Sequence, residues 1–531
     1  MPFDPLRALA ALAVVFVASR ILKFWNGLRE QSFIPGIRCA FDPLDFPGGL
    51  LPSSWWNPGV DAIWVRRFSM YRKYGNDTIS IVPFIAGHSQ LYTANLDVAR
   101  QVVGGGIKGS WIKPERVSRS VLFWGINLIA ADREVWRRHR RIMGPAFNAK
   151  TNELVWEHTA EIYREWMSTE GWKNKETVDV PRIQEHTFKV ALLVIAACGF
   201  GVNFSWSEPP KAEGAEGKQM SVQDALRIVA ETSSLAGVLP KWATRLPLEI
   251  MDKIRLSHGQ LERFMHQQIA ERKEELRGTD DNGQRADVFS HMIRANEAEE
   301  GSKLTLQDSE LLANVYGLLV AGHETTAHTF AATLGLLSVH PEIQEEVHAQ
   351  IIEVIGKDRE PTMEDSDKLD KVVAAFYEAL RLFPAGALMI RETTEDTILN
   401  IPNPPEIGGT KTVPLRKGSQ VTVDMVGVQY NPRHFSEPEQ YKPSRWYGSK
   451  DVSTSEVFTA FSIGSRACIG RKFATVEAIS FLSRFLRDWR VEPLLAPGES
   501  VQAWRARVLE ARMIFTLAVN DVPLRVIRRQ H

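Results

Sequence analysis

An unbroken apolar run, Ala8 to Ala18, stands near the start of the chain, and Ser19, Arg20, Ile21, Leu22 and Lys23 follow it. A membrane span takes roughly 17–25 residues. Leu6 to Trp25 reaches that length when Arg7, Arg20 and Lys23 extend their charged ends to the two interfaces. Trp25 then stands where an interfacial aromatic belongs. Two other readings stay open: a signal peptide cut near Val17-Ala18-Ser19, and a buried helix. Arg20, Lys23 and Arg29 follow the run, which favours placing the rest of the chain in the cytoplasm. Next come Pro35, Pro43, Pro47, Pro52 and Pro58. Prolines at that density bar a helix interior and predict a stiff connector.

Beyond residue 60 the pattern is mostly helical. Leu306 to Val339 is apolar-rich and free of proline. Thr305 and Asp308 offer a capping box at its start, and His340-Pro341 ends it. A helix so much longer than usual, apolar on several faces, is expected to cross the middle of a large domain. Pro341 can open the next helix, which runs to Ile355 with Gly356 as its stop. Lys371 to Leu382 is a further helix ended by Pro384, and Arg471 to Trp489 another. Alternating stretches at Thr78–Pro83 and Ser419–Asp424 predict strands, while Ser205–Ser221, Gly278–Ala286 and Asn400–Pro414 read as loops. The expectation is a mainly α chain with a smaller β component. No flexible linker divides it, so one large catalytic unit is expected after the connector.

Composition narrows the chemistry mostly by exclusion. Hydrophobic residues make up 44% and charged residues 24%, an ordinary globular balance that excludes a disordered or collagen-like chain. Lys+Arg and Asp+Glu are both 64, so nothing calls for nucleic acid as a partner. The three cysteines, Cys39, Cys198 and Cys468, form no CxxC pair, which argues against a disulfide framework or a cysteine zinc site. Gly104 to Gly109 matches GxGxxG, but a helix-like stretch precedes it and Pro114 follows, so it reads as a turn. His323-Glu324-Thr325-Thr326-Ala327-His328 resembles a zinc-protease helix, but Ala327 holds the place of the second histidine. Zinc is rejected there.

The strongest signal is Phe461-Ser462-Ile463-Gly464-Ser465-Arg466-Ala467-Cys468-Ile469-Gly470, of the form FxxGxRxCxG. Gly464 and Gly470 permit sharp turns and close approach of backbone to a flat ligand. Cys468 lies just before a helix, where amides stabilise a thiolate. Arg466 can meet an acidic edge of a ligand, and Phe461 can cover the sulfur.

This segment resembles the haem-binding loop of the cytochrome P-450 family, the haem-thiolate monooxygenases. Other stretches agree, in family order. Ala321-Gly322-His323-Glu324-Thr325-Thr326 is similar to the oxygen-activating motif of the long central helix, and Glu378-Ala379-Leu380-Arg381 to the ExxR motif. Pro443-Ser444-Arg445-Trp446 follows, and Trp136 and Arg140 match a WxxxR pair. The resemblance spans roughly residues 60 to 525 and points to the microsomal, fungal-looking type. The proline stretch departs from it, lacking the tighter proline–glycine cluster usual there.

The resemblance implies a large single P-450 fold (60–531) behind a membrane anchor (1–25) and a hinge (26–59). It implies haem b with Cys468 as its iron ligand. Trp136, Arg140, Arg391 and Arg466 become candidates for the haem propionates, with Phe461, Gly464 and Gly470 shaping the loop. Glu324 and Thr325 become the proton-relay pair. Glu378, Arg381 and Arg445 are expected to form a buried structural network. Arg137, Arg138 and Arg141, in the densest basic stretch, either face solvent or steer an acidic flavin reductase. Pocket walls are expected from Trp111–Leu128, Leu318, Ala321 and Ala385–Met389. The implied activity is insertion of one oxygen atom from dioxygen into a small hydrophobic substrate, a terpenoid or related secondary metabolite, with electrons from an NADPH-dependent reductase. The implied setting is the endoplasmic reticulum membrane, with lipid around the anchor and no nucleic acid. Fatty acids or xenobiotics are alternative substrates. A haem-thiolate isomerase or dehydratase of oxidised lipid, or a haem-free tethered binding protein, are the rival functions.

Overall fold

The computed structural model describes all residues except 1–4, 105–108, 123, 208–219, 239–244, 279–284, 300, 405, 449–456, 514–515 and 531. The chain divides into two compact units, one made of Met1–Pro114, Gly386–Gln440 and Glu456–Ala467, the other of Glu115–Ala385, Tyr441–Ser455 and Cys468–His531.

The first unit is built on a six-stranded sheet. Its strands run in the order Gly36–Phe41, Thr78–Ala86, Gln90–Thr93, Gln420–Asp424, Leu388–Thr393 and Trp111–Ile112. The Gly36–Phe41 strand pairs parallel with Thr78–Ala86, and Gln90–Thr93 parallel with Gln420–Asp424; the other pairings are antiparallel. Leu91, Val421 and Val423 from the sheet and Val98, Ala99 and Val102 from the helix Leu96–Val103 share one buried core.

Two sequence expectations change here. The proline-rich stretch is folded rather than free, because Gly36–Phe41 is a paired strand and Asp42 is fully buried, accepting from the Gln90 side chain at 2.7 Å. Prolines bar a helix but not the turns that follow an edge strand. Asn400–Pro414 falls largely within an antiparallel hairpin, Thr397–Pro402 against Thr410–Leu415, rather than a loop. Leu399, Ile401, Val413 and Leu415 alternate into the core, a pattern that the prolines between them obscure.

The N-terminal helix, Pro5–Glu30, is long and apolar enough to cross a membrane, and none of its apolar window is buried. Its last turns lie against the sheet. The Arg20 guanidinium donates to the Ile85 carbonyl at 2.7 Å, and Phe24 meets Phe84 edge-on at 5.9 Å. Gly27 leaves no room for a Cβ against Ser89 and Val82. Arg20 therefore binds protein rather than extending to a membrane interface.

The second unit is helical. Its central helix, Asp308–Ser338, starts two residues later than expected, and Gln307 and Glu310 close the capping box in place of Thr305 and Asp308. It packs against Gln184–Val194, Asp370–Leu382 and Arg471–Asp488. A three-stranded antiparallel sheet (Trp489–Pro493, Leu524–Arg528, Thr177–Val180) and a hairpin (Ala511–Met513, Leu517–Val519) complete the unit.

Candidate functional site

The central helix is buried along almost its whole length, yet Ala321 is exposed and Leu318, Gly322, Thr325 and His328 are half-buried. Those positions recur at three- and four-residue spacing, so they lie on one face. Ala321 keeps that face low where it is most exposed, while Gly322 packs closely on Ile195, whose side chain would lie 3.0 Å from a Cβ there.

Cys468 precedes the helix Arg471–Asp488 in the same unit. It alone of the three cysteines is exposed; Cys39 and Cys198 are buried. Burial pushes the Cys39 thiol up to about 12 and the Cys198 thiol well above its ordinary range, so both are inert. Surrounding protein also raises the Cys468 thiol, opposed by the Gly470 amide and the Arg140 and Arg471 charges. With that amide and those two guanidiniums beside it, this is the cysteine best equipped to become a thiolate, and a coordinating metal would complete the deprotonation. Gly470 has φ −88°, which any residue adopts, so its contribution is its amide rather than special backbone freedom.

Trp136 and Arg140 sit one turn apart on the helix Arg133–Met143, whose N-cap is Asp132. Trp136 is buried and Arg140 half-buried. Between them His139 is fully buried, its Nδ1 2.8 Å from the Asn314 side-chain amide on the central helix. The basic stretch here is largely committed inside the unit. Arg138 pairs with Glu310, Arg141 with Glu299 at 2.8 Å, and Arg137 lies 3.6 Å from Glu134. This narrows the sequence reading of free positive charges at 138 and 141.

The ExxR helix, Asp370–Leu382, holds the expected network. Arg381 donates twice to Glu378, at 2.9 and 2.8 Å, with both side chains fully buried. Arg445 adds a bond at 3.1 Å, the Trp446 indole one at 2.8 Å and the Lys442 amide one at 3.1 Å. The last two donors have no signature in local sequence.

Glu324 is buried, and its carboxylate accepts from the Thr516 hydroxyl at 2.9 Å. Burial raises its pKa, while the Thr516 side chain and main chain pull it down. The Thr325 hydroxyl donates to the Ala321 carbonyl at 2.8 Å. The two neighbours therefore point to different partners, as positions about 100° apart on a helix must. His323 and His328 flank Phe188 at 5.6 and 4.8 Å, and burial lowers both to about 4, a packing arrangement that suits neutral rings. Trp124, Tyr316 and His258 form an aromatic cluster that sequence reasoning missed, with Trp124 4.9 Å from Tyr316 and 6.0 Å from His258.

In the first unit, Arg391 is buried on the strand Leu388–Thr393, with Nη1 donating to the Ile390 carbonyl at 2.9 Å. Gly464 adopts φ +70°, and a Cβ there would lie 3.3 Å from the Val103 carbonyl oxygen, so glycine is needed for both reasons. Phe461 is half-buried, edge-on to Phe458 at 6.2 Å, and the Ser462 hydroxyl lies 3.0 Å from the Met389 sulfur. Arg466 is half-buried in the same loop.

The sequence profile of the family described as Cytochrome P450 matches residues 61–507. A Postia placenta protein named Cytochrome P450 monooxygenase 124 is 32% identical over 501 residues, covering 93% of this chain and 94% of that one. Cyclooctat-9-en-7-ol 5-monooxygenase of Streptomyces melanosporofaciens is 29% identical, covering 71% and 74%. The crystal structure of the cytochrome P450DA haem domain superposes with a TM-score of 0.69 at 20% identity, covering 93% of this chain and 99% of that one. The chain belongs to the cytochrome P450 family and is a monooxygenase of mainly helical P450 fold.

Proposed function

We propose that the protein is a membrane-anchored haem-thiolate monooxygenase that inserts one oxygen atom from dioxygen into a small apolar substrate of the terpenoid class. The observation that carries the reading is Cys468, the one accessible cysteine, set at a helix start with the Gly470 amide and two guanidiniums beside it. The residues suit haem b. Cys468 would ligate its iron. Arg140, Arg391 and Arg466 would hold its propionates through guanidinium forks that match carboxylates, and Trp136 through its indole N–H. The Gly464 turn brings the backbone close, and Phe461 would keep water from the sulfur. Bound there, haem supplies dioxygen activation, with the thiolate donating electron density that favours O–O cleavage.

The chain's own part in turnover is orientation and proton handling. Ala321, the exposed alanine of the central helix, would leave space for dioxygen and substrate, while Gly322 lets the helix pack closely on Ile195. Thr325 offers a hydroxyl on that open face and Glu324 a carboxyl one position back, the acid and alcohol a proton relay requires. The apolar segments expected to wall the site would exclude water and favour a hydrocarbon skeleton. The terpenoid reading takes support from the Streptomyces relative named for oxidising cyclooctat-9-en-7-ol. The exposed apolar helix Pro5–Glu30, with the basic residues after its core, favours a single-pass anchor in the endoplasmic reticulum with the catalytic part in the cytoplasm. Electrons would come from a separate NADPH-dependent flavin reductase.

The test is co-expression with such a reductase, a panel of terpenoid scaffolds, and product mass. A gain of one oxygen atom that requires NADPH supports the reading. Cys468→Ala should abolish the reduced carbon-monoxide spectrum, whereas Cys39→Ala and Cys198→Ala should not. An unchanged spectrum in Cys468→Ala rejects the ligand assignment.

A further inference from the structure

Thr516 stands in the turn between Ala511–Met513 and Leu517–Val519, near the end of the chain. It is buried at 4% exposure, and its hydroxyl donates to Glu324 Oε1 at 2.9 Å in a buried bond. Its main chain also bonds toward the same carboxyl. The next residue fixes the turn in place: the Leu517 amide donates to the Ala385 carbonyl at 3.1 Å, and the Leu517–Val519 strand packs on the central helix. Thr516 thus grips the acid of the acid–alcohol pair, and its neighbour Leu517 holds the chain just after the ExxR helix.

Thr516 is the side-chain partner of that carboxyl among the described residues. Among the described residues, no charged side chain on the elements packed around the central helix adds to the environment of Glu324. The titratable neighbours on its own helix, His323 and His328, face Phe188 on Gln184–Val194. A buried carboxyl held by two donors prefers one rotamer at rest, because leaving it costs both bonds, a smaller cost than leaving charged partners. Meanwhile the Thr325 hydroxyl is turned back on the Ala321 carbonyl.

We propose that Thr516 is a positioning residue that docks the Glu324 carboxyl against the C-terminal hairpin, and that proton delivery requires this bond to open. The inference rests on the reading of Glu324 as the proton-relay acid and adds what controls it. In the docked state the acid is withheld from the open face of the helix. When the bond to Thr516 opens, the carboxyl turns toward the Thr325 hydroxyl on that face. Ala385 lies on the expected pocket wall and is bonded to the residue beside Thr516, so a substrate pressing on that wall displaces the latch.

The test measures the carboxyl itself in the haem-loaded ferric protein. Infrared difference spectra taken across a pH titration identify the protonated Glu324 band by its loss in Glu324→Gln. In Thr516→Val, which keeps shape and removes the hydroxyl, that band should titrate about one pH unit higher, because a lost bond to a charged group is worth that much. Thr516→Ser keeps the hydroxyl and should restore wild-type titration. In turnover, Thr516→Val should change the split of NADPH electrons between oxygenated product and hydrogen peroxide several-fold, with Thr516→Ser again restoring it. A wild-type titration in Thr516→Val, or an equal shift in Thr516→Ser, overturns the inference. If Glu324→Gln leaves the turnover rate and its solvent isotope effect unchanged, the relay reading falls and the gating role with it. The infrared shift would then remain as evidence of docking alone.

Discussion

Two buried carboxylates in the second unit, Glu378 and Glu324, are held in opposite ways. Glu378 is fully buried and takes five donated bonds: two from Arg381 and one each from Arg445, the Trp446 indole and the Lys442 amide. Two of those partners carry full positive charge, and they come from separate segments of chain. Glu324 is buried almost as deeply, yet its partner is a single threonine, and burial outweighs that partner in setting its pKa. A carboxylate whose lone pairs are filled by guanidiniums is a fixture, because every exit leaves two cations uncompensated. A carboxylate held by one hydroxyl and one amide can be released at modest cost. The difference separates a residue that builds the fold from one fit to move a proton.

Substituting glutamine at each position breaks the comparison apart. Glu378→Gln should be the most damaging, costing about 3–5 kcal/mol because Arg381 and Arg445 lose their counter-charge inside the protein. Thermal unfolding and the yield of haem-loaded protein measure it. Glu324→Gln should leave folding nearly intact and lower the oxygenation rate about 100-fold, the size of a lost general acid. A rate within about threefold of wild type would remove Glu324 from the relay. Trp446→Phe sharpens the same contrast from the fixture side. It removes one donor from an over-supplied carboxylate, so the expected loss is about 1–2 kcal/mol in unfolding free energy with unchanged turnover per haem.

These two sites differ as much in how far the sequence announces them. Glu378 and Arg381 are readable because three-residue spacing puts them on one helix face, and Arg445 because it follows in a recognisable order. Cys468 is readable because its neighbours occupy a fixed short loop. Trp446 Nε1 and the Lys442 amide are not readable as donors, since only the folded chain brings them to Glu378. Thr516 lies 192 residues from Glu324, in a turn with no motif of its own. The Thr397–Pro402 hairpin was hidden for a local reason: prolines between its strands imitate a loop. The helical framework shows through because the apolar period is sustained over many turns, whereas the sheet of the first unit joins strands from distant parts of the chain. The exposure of Ala321 beside half-buried Thr325 is set by packing, and a buried and an accessible alanine look alike in sequence.

The smallest effect concerns pH and is read at Glu324. Burial raises the Glu324 pKa in the folded protein, so the folded state binds that proton more tightly than the unfolded chain does. Below the unfolded value, about 4.3, the carboxyl is protonated in both states and its burial carries no charge penalty. As pH rises from there through the raised folded value, the unfolded chain ionises first, and folding stability falls by that difference. Glutamine cannot ionise and escapes the loss. Melting temperatures of Glu324→Gln and wild type should therefore nearly coincide in mild acid and separate toward neutral pH, with the variant the more stable. Glu378→Gln should be the less stable protein at neutral pH, because there it loses its ion pairs. A Glu324→Gln variant that loses stability as pH rises would mean that the Thr516 donors outweigh burial, and the acid would then be as firmly fixed as Glu378.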